Sequence, residues 1–102
     1  MPHLSCTARR VGDYESRTEE YELSYVFGDT THELKIRYQA ARAYEINAAL
    51  DAAVEAARDA IASSDPELAA RPTDESLSKF TWRTVQSVKY GEGAPRTSRL
   101  EI

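Results

Sequence analysis

The chain has 102 residues, 41% of them hydrophobic and 29% charged, with a net charge of −4. That is the size of one domain with one core and the composition of a soluble fold, which excludes a disordered chain. No apolar run approaches the ~18 residues that a bilayer span needs, so no membrane partner is expected.

The charge is unevenly spread: Arg9 and Arg10 open the chain, residues 13–75 carry fifteen acids against six bases, and residues 76–102 carry five bases against two acids. An acidic body with a mildly basic end disfavours general attraction to nucleic acid or anionic lipid, while a local basic site stays open. Cys6 is the single cysteine, which excludes an intrachain disulfide and a cysteine zinc site. The start, "MPHLSCTARRVG", reaches charge before any apolar signal core forms, so a cytoplasmic location is expected.

In chain order, "HLSCTARRV" alternates Leu4, Cys6 and Ala8 with Ser5, Thr7 and Arg9, a weak pattern that allows an N-terminal strand. The pattern over 20–38 is clearer. Tyr21, Leu23, Tyr25 and Phe27 alternate with Glu22, Ser24 and Val26, and beyond Gly28-Asp29-Thr30-Thr31 the residues Leu34, Ile36 and Tyr38 alternate with Glu33, Lys35 and Arg37. Two period-two runs around a short turn predict a β-hairpin with opposite charges available across its outer face.

Residues 43–63 predict one long amphipathic helix, because Ile46, Leu50, Ala53, Val54, Ala57 and Ile61 recur at three-and-four spacing. Its other face carries Asn47, Asp51, Glu55, Arg58 and Asp59, including the like-charge i,i+4 pairs Asp51/Glu55 and Glu55/Asp59. Such a stripe is ordinarily a solvated face. "SSDPELAARP" then reads as a connector, with Asp65 and Pro66 suited to starting a one-turn helix and Pro72 to ending it.

Residues 77–90 fit two templates. As a helix, Leu77, Phe80, Thr81, Thr84, Val85 and Val88 share a face, with Thr73 or Asp74 as cap and Gly91 as terminator. As a strand, Phe80, Trp82, Thr84, Gln86, Val88 and Tyr90 point one way, with Lys79, Arg83 and Lys89 the other. Threonine, valine and aromatic residues favour a pleated surface, so a last strand over 79–90 is expected, with Trp82 in the core. Residues 91–102 are expected as an extended tail that pairs with an edge or frays.

Catalytic signatures are weak. "HELK" at 32–35 has Ile36 where a zinc-protease helix needs histidine, "SLSK" at 76–79 lacks its partner motifs, and Gly91-Glu92-Gly93 lacks the lysine of a phosphate loop. No catalytic residue, metal or cofactor is expected. A small enzyme or carrier with a tyrosine-lined pocket is the residual catalytic reading.

The expected fold is α+β in a single compact domain over 1–102: an antiparallel sheet of three to four strands with the long helix on one face. The helix and connector are long enough for the last strand to return parallel to a neighbour. The expected function is a small non-catalytic protein-interaction module, of inhibitor, immunity, accessory or oligomer-subunit type. Its partner is another protein or a second copy, engaged through the acidic helix face of Asp51, Glu55 and Asp59. The rival is a nucleic-acid binder using Lys79, Arg83, Lys89, Arg96 and Arg99, with Trp82 and Tyr90 stacking on bases. A strand over 79–90 separates the rings from the cations and makes that rival the less favoured one.

Overall fold

The computed structural model describes residues 2–12 and 17–102. The elements are β1 (His3–Val11), β2 (Thr18–Phe27), β3 (Thr30–Gln39), α1 (Ala43–Ala62), a 3-10 turn (Leu68–Ala70), α2 (Asp74–Tyr90) and β4 (Arg96–Glu101). All strand pairs are antiparallel and the sheet order is β3-β2-β1-β4. Both helices cover the same face of the sheet, in the α+β class that the sequence indicates. Among the described residues no helix is long and apolar enough to cross a membrane.

The β2–β3 hairpin follows its alternation. Phe27 pairs with Thr30, leaving Gly28 and Asp29 as a two-residue turn. Gly28 takes φ +58° while Asp29 keeps a negative φ, the pattern of a II′ turn with glycine first. Tyr21, Leu23, Tyr25, Phe27, Ile36 and Tyr38 point inward and are buried, as are Leu4, Cys6 and Ala8 of β1. On the outer face Glu22 stands between Arg9 and Lys35. The Arg9 guanidinium bonds the Glu22 carboxylate and Lys35 Nζ lies 3.9 Å from it, so Arg9 first of all holds Glu22 below the usual carboxylate range. β1 is thus an interior strand, bordered by β2 and β4.

Helix α1 buries Ala53, Val54, Ala57, Ala60 and Ile61. Three of these five are alanines, and their small side chains let the backbone lie close to the sheet. The connector behaves as its residues suggest: Asp65 Oδ1 accepts from the amides of Glu67 and Leu68 at 3.1 and 3.4 Å.

The expected strand at 79–90 is instead the larger part of α2. Three local features start and sustain this helix. The Thr73 side chain accepts from the Ser76 amide at 3.0 Å, Asp74 and Glu75 occupy the first turn, and Lys79 pairs with Glu75 at 2.8 Å. The side chains of poor helix propensity are accommodated by bonding back, as Thr84 Oγ1 donates to the Phe80 carbonyl at 2.9 Å and Ser87 Oγ to the Arg83 carbonyl at 2.9 Å. Magnitudes decide the outcome: β preference spans about 1 kcal/mol, whereas each buried Leu, Phe or Val contributes about 1.5–3 kcal/mol. A helix buries Leu77, Phe80, Val85 and Val88 on one side.

Trp82 accordingly leaves the expected core position. It sits half-buried on the flank of α2, packed against the core with its ring 5.9 Å from that of Tyr38. The last strand comes later, at Arg96–Glu101, within the tail expected to be extended. It pairs antiparallel with β1, Leu4 opposite Leu100 and Thr7 opposite Thr97, and not parallel to a neighbour.

Candidate functional site: an acidic groove between the helices

The three acids of the α1 stripe are spaced four residues apart, which brings them to one flank of the helix. That flank faces α2. Asp51, Val54, Glu55, Arg58 and Asp59 of α1 line a groove of about 530 Å³ with Asp74, Glu75 and Ser78 of α2. The N-terminal turn of α2 therefore adds two carboxylates to the three of α1.

The cations beside the groove are engaged. Arg58 turns toward the connector and donates to the Ala69 carbonyl at 2.5 Å, the Pro72 carbonyl at 3.0 Å and Asp74 Oδ1 at 2.5 Å. It ties the connector between the helices to α1. Lys79 is held by Glu75, an ion pair that in turn keeps Glu75 below the usual carboxylate range. Asp51, Glu55 and Asp59 are exposed and make no ion pair among the described residues. No cluster of three or more histidine, cysteine or acidic side chains suited to a metal ion occurs among the described residues. The groove presents negative potential without metal-ligand geometry. From sequence, Asp74 is one of two cap candidates and Glu75 is not singled out; reading 74–90 as a helix adjoining α1 is the signal that would have joined them to the stripe.

The seven residues of the rival set are dispersed. Lys79 and Arg83, one turn apart on α2, border a separate depression with Thr73, Glu75, Ser76, Phe80 and Leu100. Tyr90 is 78% exposed at the far end of the helix. Lys89 is drawn inward, 3.4 Å from Glu19 Oε2. Arg96 lies against the end of α2, where a Cβ on Gly91 would come within 2.7 Å of both the Arg96 guanidinium and the Ser87 carbonyl, a position that suits the negative end of the helix dipole. Arg99 stands opposite Ser5 on the uncovered face of the sheet. The opposite strand faces that would have separated rings from cations do not exist. What weakens the rival is that Trp82 packs on Tyr38 while two of its cations, Lys79 and Lys89, are paired.

The remaining titratable groups inside the protein hold the fold. Cys6 is fully buried in β1, and burial pushes its thiol up to about 11, the opposite of a reactive cysteine. The Tyr25 hydroxyl is hydrogen-bonded to Thr81 Oγ1 of α2. Glu19, 5% exposed, accepts from the Tyr21 hydroxyl at 2.7 Å and faces Lys89. Tyr38 stacks on Tyr21 at 6.1 Å; burial raises its hydroxyl to about 12. The Tyr38 hydroxyl has no hydrogen-bond partner among the described residues. Tyr21, Tyr25 and Tyr38 are all buried in the core.

Compared with protein families, characterised proteins and solved structures, the chain matches none of them.

Proposed function

We propose that the chain is a non-catalytic protein-interaction module whose groove between α1 and α2 receives a basic segment of a partner protein. The observation that supports this reading is the set of exposed carboxylates at Asp51, Glu55 and Asp59, without internal counterions, on one wall of a groove that Asp74 and Glu75 extend. Complementary charge at such a surface steers association and selects partners more than it adds affinity. The effect weakens as salt shortens the Debye length to about 10 Å at 0.1 M.

A lysine-rich amphipathic peptide is a suitable probe, measured by stopped-flow association at low and high salt. The wild-type chain should bind with an on-rate that falls steeply with salt. Asp51→Lys together with Glu55→Lys should slow association by about tenfold or more at low salt while leaving the circular dichroism unchanged. An unchanged on-rate in the double variant would remove this groove from consideration. The same assay with a single-stranded oligonucleotide addresses the rival: binding that is lost in Arg83→Glu, with the groove variant unaffected, would favour nucleic acid.

A further inference from the structure

Strand β3 is an edge of the sheet, and natural proteins shield such edges with shortness, proline, a bulge, an inward-pointing charge or charged side chains along the edge; of these β3 carries only the last, with both signs present at Glu33, Lys35 and Arg37. Thr30–Gln39 has ten residues, runs in unbroken register with β2 and contains neither proline nor glycine. The direction of its unpaired backbone groups follows from the turn. Phe27 and Thr30 close a two-residue loop and exchange hydrogen bonds with each other. Alternate residues after Thr30, from His32 to Tyr38, then bond to β2, while Thr31, Glu33, Lys35 and Arg37 aim their N–H and C=O groups at the open edge.

We propose that this edge pairs with the same edge of a second copy of the chain, antiparallel about a two-fold axis at Leu34, joining two four-stranded sheets into one. In that register Glu33 of each copy stands opposite Lys35 of the other, and Thr31 opposite Arg37. The outward backbone groups of these residues meet in four pairs and supply about eight hydrogen bonds. Moving the axis to residue 33 places Glu33 on Glu33, and moving it to residue 35 places Lys35 on Lys35 with Glu33 opposite Arg37, so the Leu34 axis is the one of the three that makes opposite-charge pairs without a like-charge pair.

Three further observations fit. Glu33 and Arg37 make no ion pair among the described residues, and Lys35 only the 3.9 Å contact with Glu22. Leu34 is only partly buried at the margin of the core and would be covered by its counterpart. Helix α1 packs over β3, and its flank turned away from the groove carries Ala49, Ala52 and Ala56, with Ser63 Oγ 3.4 Å from the His32 ring. Side chains of that size let two copies of α1 approach across the axis. The other edge, β4, has six residues and offers fewer bonds. The pairing uses no residue of the acidic groove and stands or falls separately from it.

Sedimentation of the full chain should give a particle of twice the 11.4 kDa chain mass. Lys35→Glu should weaken self-association by about tenfold or more. Glu33→Lys combined with Lys35→Glu should restore it, because the exchanged charges again face each other across the axis while the contact of residue 35 with Glu22 stays lost. Amide exchange supplies a reading on the unmodified protein: protection at Thr31, Glu33, Lys35 and Arg37 should rise with concentration. A monomer at all concentrations, a dimer indifferent to Lys35→Glu, a failure of the double exchange to restore pairing, or fast exchange at those four amides would each overturn the proposal.

Discussion

Helices α1 and α2 lie side by side on the same sheet face and have similar lengths, 20 and 17 residues, yet they use charge in opposite ways. α2 has a side-chain cap, acids in its first turn and Lys89 in its last, and its ion pairs reach Arg58 of α1 and Glu19 of β2. α1 has no side-chain cap bond and no base in its last turn. It places like charges four residues apart on its outer face. A helix rich in alanine holds by propensity and by its buried face, so apart from Arg58, which ties down the connector, its polar face is free of a role in folding that the fold itself displays. A helix rich in threonine, serine and β-branched residues draws on its charges for stability. The contrast leaves Asp51, Glu55 and Asp59 of α1 without an internal counterion among the described residues, and this is the surface proposed for a partner.

Removing a charge from the α2 side should be costly. Lys89→Met removes the cation facing the buried Glu19 carboxylate, which keeps its bond from the Tyr21 hydroxyl, and should lower stability by about 2 kcal/mol in urea unfolding, below the usual 3–5 because Lys89 is itself partly exposed. An unaffected midpoint would mean that this pair does not anchor α2.

The interior beneath α2 should also respond to alkali. Burial raises Cys6 from 9.0 to about 11, so the thiol stays neutral in the folded chain after it has ionised in the unfolded one. The stability it contributes is complete below pH 9 and is lost as pH rises toward 11, on the order of 2 kcal/mol. Buried Tyr38, raised to about 12 by desolvation, acts in the same direction at higher pH. Urea midpoints across this range should fall, and less so in Cys6→Ala.

The smallest expected effect is on α1, with the sign reversed. Glu55→Lys converts both like-charge pairs, with Asp51 and with Asp59, into opposite ones and should stabilise the fold by about 0.5 kcal/mol. A loss of 1 kcal/mol or more would show that the acidic face is structural.

Most of the architecture was legible in the sequence where periodicity and propensity agree. The hairpin alternates strictly over 20–38, and α1 combines its apolar stripe with alanine, so both appear at the expected places. They disagree over 79–90. There the apolar positions Leu77, Phe80, Val85 and Val88 had helical spacing, but threonine, valine and Trp82 argued for a strand, and packing against the sheet overrode that preference. The same conflict hid part of the groove: Asp51, Glu55 and Asp59 are visible as one helix stripe, whereas Asp74 and Glu75 join them only through the placement of a second helix. Strand β4 was concealed for a different reason. Its six residues have too little alternation to identify a strand, and pairing with β1 supplies the order.

The most direct measurement is a ¹⁵N chemical-shift map of the chain titrated with the lysine-rich peptide. Shifts centred on Asp51, Glu55, Asp59, Asp74 and Ser78, and abolished by Asp51→Lys with Glu55→Lys, are the predicted result. Shifts confined to the uncovered sheet face or to Lys79 and Arg83, or no shifts at any peptide concentration, would contradict it.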